Sequence, residues 1–157
     1  MKARALQWLA QREQSRVELR RKLLPHVVAA LEPDADFGAD AVAQVEGVLD
    51  WLEANGYLSQ ERFVESRVHA RSARFGNLRI RQELKQHQVA LGAEAAQALK
   101  DTELQRARAV RERKFSAWPV SAAERAKQAR FLAGRGFSPE VIGRALRVSA
   151  EAEDDAD

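Results

Sequence analysis

Apolar residues recur at helical spacing along nearly the whole chain. Val45, Val48, Leu49 and Leu52 follow i, i+3, i+4, i+7 and form one apolar stripe. Leu6 and Leu9, Leu19 and Leu23, and Ile80 and Leu84 repeat the spacing in shorter form. Strand-like alternation of useful length is lacking, and Ala, Leu, Glu, Gln and Arg, all good helix formers, dominate. Start signals are clear. Ser15-Arg16-Val17-Glu18 and Ser121-Ala122-Ala123-Glu124 read as capping boxes, Ser138-Pro139-Glu140 sets a cap before a first-turn proline, and Asn77 is placed to cap a helix starting at Leu78. Asn55-Gly56, Gly76, Gly92 and Gly136 stand where periodic segments end. These marks predict nine helices, near 2–12, 15–25, 39–54, 59–75, 77–87, 92–99, 102–115, 121–134 and 138–147. The one longer connection, Pro25 to Asp40, reads as a flexible loop, though 27–31 can still be helical.

Nine helices divide by three, and sequence echoes favour that division. Arg16-Val17-Glu18-Leu19 resembles Arg81-Gln82-Glu83-Leu84, and Leu52-Glu53-Ala54-Asn55-Gly56-Tyr57-Leu58-Ser59 resembles Leu132-Ala133-Gly134-Arg135-Gly136-Phe137-Ser138-Pro139. A helical hairpin cannot bury its apolar face alone, whereas a third helix closes a small core. The expected fold is all-α: three tandem three-helix modules at 1–56, 57–100 and 101–148, forming an elongated curved body, then an acidic disordered tail at 149–157.

Composition narrows the function. The 157 residues are 45% hydrophobic and 31% charged, with no cysteine, so disulfides, thiolate metal sites and cysteine nucleophiles drop out. Neither a signal-peptide core nor an apolar run of roughly 20 residues is present, and the expectation is a cytoplasmic protein without membrane contact. The net charge of +3 hides an asymmetry. Residues 151–157 carry five acids and no base, so 1–150 sum to +8, a balance that suits a polyanionic partner such as nucleic acid or serves solubility alone.

The sharpest candidate surface is basic. Arg67, Arg71 and Arg74 follow i, i+4, i+7 beside Phe63, Val64, Val68 and Phe75, and Arg79, Arg81 and Lys85 follow on the next helix. Guanidinium forks bond phosphate or carboxylate bidentately; the competing reading is that arginine stems lie over the core edge while their heads reach water. Arg106, Arg108, Arg111, Arg113 and Lys114 ring their helix and read as a solvated face. Arg16, Arg20, Arg21 and Lys22 read as cations complementing a helix C-terminus. Trp8, Trp51 and Trp118 suit core packing over base stacking, and Tyr57 and Phe137, which follow glycines, suit locking of turns. His26, His69 and His87 lack zinc-site spacing. A phosphate-binding Gly-x-x-x-x-Gly-Lys loop and a nucleophile elbow are both missing, so neither catalysis nor a cofactor is expected.

Three segments carry a resemblance. Residues 9–23, Leu-Ala-Gln-Arg-Glu-Gln-Ser-Arg-Val-Glu-Leu-Arg-Arg-Lys-Leu, resemble the opening signature of RecX regulatory proteins. Gly76-Asn77-Leu78-Arg79-Ile80-Arg81-Gln82-Glu83-Leu84 resembles the central signature, and Phe131-Leu132-Ala133-Gly134-Arg135-Gly136-Phe137-Ser138-Pro139-Glu140-Val141-Ile142 is similar to the closing one. Each alone is a capped amphipathic helix; the three in order are specific. Where the family often has a glycine and an apolar residue after the central helix, this chain has Gln88-Val89. The resemblance implies three tandem three-helix modules, each loosely helix-turn-helix-like, and a non-catalytic regulator that binds the RecA filament; a monomer is expected. It would inhibit ATP hydrolysis, strand exchange and coprotease activity, damping recombination and the SOS response. The alternative is a DNA-binding protein whose modules contact single-stranded or duplex DNA directly.

Overall fold

The computed structural model describes residues 1–30 and 37–147. These form eight α-helices: α1 (Lys2–Gln11), α2 (Arg16–Val28), α3 (Phe37–Ala54), α4 (Gln60–Ser72), α5 (Asn77–Gln86), α6 (Ala93–Lys114), α7 (Ala122–Gly134) and α8 (Pro139–Ala145). No strand occurs among the described residues. The fold is all-α, as the periodicity predicts. The two helices expected at 92–99 and 102–115 are one continuous helix, α6. Leu99 to Thr102 contains no glycine or proline, and the Thr102 hydroxyl donates back to the carbonyls of Ala98 (3.1 Å) and Leu99 (3.4 Å), so the ladder continues. Helix α2 runs through Pro25 to Val28 and α3 starts at Phe37, which shortens the long connection predicted there. The centre of that connection and the acidic tail lie outside the described residues.

The chain divides into two compact units, residues 1–67 with 86–89, and residues 68–85 with 90–157. The first is built on α1–α3 and the start of α4. Ala5, Leu19, Leu23, Val45, Leu49 and Leu52 are fully buried in its core, with Trp8 and Trp51 packed at the edge as their apolar neighbours predict. Ser15 caps α2 by accepting the Glu18 N–H at 3.1 Å. Arg16 stands at the first position of α2, not near a helix C-terminus, which corrects the dipole reading of that basic run. It donates to Glu46 (2.6 Å), Asp50 (2.7 Å) and Glu53 (2.7 Å), three acids one helical turn apart on α3, and Arg20 also binds Glu46. The bonds from Arg20 and Arg16 hold the Glu46 carboxyl down to about 2.

The second unit is built on α5–α8. Ala107, Val110, Leu132, Phe137, Ile142, Ala145 and Leu146 form its core. Its α4–α5 turn and α7–α8 turn cross backbone to backbone: Gly76 N–H donates to Arg135 C=O (2.8 Å) and Leu78 N–H to Gly136 C=O (3.0 Å). A Cβ on Gly76 would overlap the Gly136–Phe137 peptide, and one on Gly136 would overlap the Arg79 side chain, so only glycine permits this approach.

The second sequence echo is a matched pair of helix ends, one in each unit. Tyr57 N–H donates to Leu52 C=O (2.9 Å) across Gly56 at φ +73°, and Phe137 N–H to Leu132 C=O (3.2 Å) across Gly136 at φ +85°. Both are Schellman caps. Phe137 is buried, while Tyr57 stacks on Trp51 at 5.6 Å.

Candidate partner-binding surface

Each predicted site residue has a definite place. Arg67 belongs to the first unit, where its guanidinium lies 5.4 Å from the Phe63 ring centre. Arg71, Arg74, Arg79, Arg81 and Lys85 belong to the second. There Arg71 (5.6 Å), Arg74 (5.8 Å) and Arg79 (4.4 Å) converge on the ring of Phe75, which is 8% exposed. Helix α4 ends at Ser72, earlier than predicted, and the turn that follows carries Phe75 inward and Arg74 around it. Cations over an aromatic face gain from the ring quadrupole. Two of the three are also ion-paired: Glu83 lies 3.0 Å from Arg71 and 3.9 Å from Arg79. Arg79 further donates to Gly134 C=O at 3.3 Å. Arg81 and Lys85 are exposed on α5.

Several cations gathered here come from far along the chain. Arg135, held in the α7–α8 turn, lies 5.6 Å from the Phe75 ring and 5.2 Å from that of Phe131. Arg113 donates to Ala73 C=O, and Lys114 lies 5.9 Å from Phe131. Sequence reasoning passed over Arg135, and no local signal marks it. Its role depends on a turn crossing between residues almost sixty positions apart.

The reading of Arg106 to Lys114 as a solvated face is corrected at two positions. Arg111 is 3% exposed, donates to Ala117 C=O at 3.2 Å and lies 4.0 Å from the Trp118 ring. Arg106 donates to Ser72 C=O (3.2 Å), Phe75 C=O (2.9 Å), Leu99 C=O (3.0 Å) and the Asn77 side-chain oxygen. Burial lowers the Arg106 pKa, with Glu103 opposing the shift. The Asn77 side chain is thereby occupied, and Gly76 C=O accepts the first bond of α5 from the Ile80 N–H (3.2 Å), so Asn77 does not cap this helix. Its own N–H goes to buried Glu103 at 3.2 Å. An i, i+4 pattern cannot separate an arginine reaching water from one reaching the carbonyls of a helix end.

Ser15 also links distant segments of the first unit. Its Oγ lies 2.7 Å from Nδ1 of His87, whose ring sits 4.9 Å from Phe63. Burial lowers the His87 pKa; Arg67, Arg21 and Arg12 add to the shift and Glu18 opposes it. Among the described residues, no three His, Cys, Asp or Glu side chains are placed to hold a metal ion. No helix among them is long and apolar enough to cross a membrane.

Charge is unequal between the units. The sequence of the first has nine basic and eleven acidic residues; that of the second, up to Arg147, has seventeen basic and seven acidic. These features define an all-helical, multi-module protein whose cationic surface belongs to its second unit.

Residues 59–99 match the family model for the second three-helix domain of RecX, and residues 101–146 match that for the third. The two matches meet at Lys100, inside α6. Over its whole length the chain is 48% identical to the regulatory protein RecX of Ralstonia nicotianae and 46% identical to that of Ralstonia pickettii, covering 92% of each. It is 46% identical to the regulatory protein RecX of Leptothrix cholodnii, over 98% of this chain and 92% of that protein. The chain belongs to the RecX family of regulatory proteins.

Proposed function

We propose that this protein binds RecA nucleoprotein filaments and restrains them, inhibiting ATP hydrolysis, strand exchange and coprotease activity and so damping recombination and the SOS response. It acts in the cytoplasm as a monomer, without catalysis of its own and without a cofactor. The observation that carries this reading is the match, over the whole chain, to proteins named as RecX regulators. The division proposed is modules at 1–56, 57–100 and 101–148. Weak contacts from linked modules add through effective concentration, so one regulator can bridge neighbouring filament subunits and hold their ATP interfaces apart from the productive arrangement. The proposed contact cations are Arg67 in the first unit and Arg71, Arg74, Arg79, Arg81 and Lys85 in the second. Of these, Arg74, Arg79, Arg81 and Lys85 reach solvent, and Arg71 and Arg79 share Glu83.

Titration into RecA with saturating single-stranded DNA and ATP tests the reading. Inhibition of ATP hydrolysis at substoichiometric regulator, persisting when DNA is in excess, is expected; an unaffected filament would reject it. Charge reversal at Arg81 and Lys85 is expected to weaken inhibition and lower its salt sensitivity. A second reading, direct binding to DNA, is favoured by the cationic excess of the second unit and predicts inhibition that excess DNA abolishes.

A further inference from the structure

We infer that a recess in the second unit, lined by Arg74, Val110, Arg113, Lys114, Phe131 and Arg135, is a binding site for one nucleotide unit of a single-stranded nucleic acid. The recess has a volume of about 350 Å³. Four of its six lining residues are cations, and none of the four pairs with a carboxylate among the described residues. Nearby Arg71 and Arg79 differ in this respect, since Glu83 serves both. Unpaired cations this close repel one another, and an anion relieves that repulsion.

The cations are held in place from three segments. Arg113 is tied to Ala73 C=O, Arg135 is fixed in the α7–α8 turn between the rings of Phe75 and Phe131, and Lys114 lies over Phe131. The ring of Phe131 is itself braced edge-on by Phe115 at 5.4 Å and 88°. A rigid, part-exposed aromatic wall among guanidinium groups fits the two halves of a nucleotide: phosphate oxygens on the cations, a base face on the ring. An acidic protein segment would use the cations and leave the aromatic wall without a planar partner. Because the site uses only residues of this chain, it stands whether or not RecA is the partner.

The test uses the full-length protein without RecA and a fluorescent 20-nucleotide oligo(dT), followed by anisotropy. Arg74→Glu with Lys114→Glu is the chosen pair, because neither side chain makes a described hydrogen bond. Lys100→Glu with Arg130→Glu changes net charge equally at positions outside the recess. The first pair should weaken binding at least tenfold and flatten the dependence of log affinity on log salt by about 0.7, one phosphate contact of a single strand; the second should change affinity less than twofold. Phe131→Leu, which retains the cations, should weaken oligo(dT) binding several-fold without altering the salt slope. Equal losses from both charge pairs would overturn the site. Displacement of oligo(dT) by polyglutamate as effective as by unlabelled oligo(dT) would overturn the nucleic-acid assignment in favour of an acidic protein. Displacement by ATP at matched ionic strength as effective as by the oligonucleotide would overturn it in favour of a free nucleotide.

Discussion

Gln88 holds φ at +56°, a left-handed conformation that costs a residue with a Cβ about 1–2 kcal/mol. Gln88→Gly should therefore stabilise the protein by about 0.5 kcal/mol after the greater flexibility of unfolded glycine is subtracted. Gln88→Ala should give no gain, because it keeps the Cβ; urea unfolding of the two variants separates them. The next residue back, His87, gives a pH dependence with a definite sign. Its pKa is lowered in the folded state, so its contribution to stability is complete above the unfolded value near 6.5 and declines as pH falls below it. Unfolding curves at pH 7.5 and 5.5 should differ more for the native protein than for His87→Gln. An equal drop in both would place the titration elsewhere.

Among the elements, α6 depends on Arg106 to close the ends of its neighbours. One guanidinium satisfies carbonyls at Ser72, the last residue of α4, at Phe75 in the turn that follows, and at Leu99 within α6. Arg106→Leu would leave the Ser72 and Phe75 carbonyls and the Asn77 oxygen without this donor, at a cost of roughly 2–4 kcal/mol. Arg106→Lys should recover only part of it, since an ammonium lacks the planar fork. Chemical denaturation with circular dichroism reads both. The crossing of the α4–α5 and α7–α8 turns is equally intolerant: Gly76→Ala should destabilise by about 3 kcal/mol, because the obstructing atoms are backbone and cannot rotate away. By contrast Gly47→Ala, in the middle of α3 with nothing within 4 Å of the added methyl, should gain close to 1 kcal/mol from helix propensity.

At the scale of the whole molecule, the two units have separate cores, yet neither is a continuous stretch of chain. Residues 86–89 belong with 1–67, and 68–85 belong with 90–157. A cut at Lys100 would leave Asn77 without Glu103 and Arg106, and Gly76 without Arg135. Removing residues 101–157, and with them α7, α8 and most of α6, should therefore unfold α5. Removing residues 1–58 should leave the helices of the second unit cooperatively folded, while losing inhibition of RecA if bridging requires all modules. Urea unfolding of the two fragments, compared with their ATPase inhibition, checks this asymmetry; equal retention of structure in both would contradict it.

Local order in this protein is written in local signals. The capping serines at 15 and 121, the glycines at 56 and 136, and the apolar stripe of Val45, Val48, Leu49 and Leu52 act over a few residues, and the helices follow them. The three family signatures were legible for the same reason. The candidate surface was legible only in part: Arg71, Arg74 and Arg79 do gather on Phe75, but the sequence offers no sign that Glu83 occupies two of them. Nor does it show that Arg135 and Arg113 reach the neighbourhood of Arg74, or that Arg106 and Arg111 turn inward. A helix presents its arginines in every direction, and local spacing is blind to what lies opposite. Only the packing of distant turns against one another decided which cations are spent on carbonyls and carboxylates, and which remain for a partner.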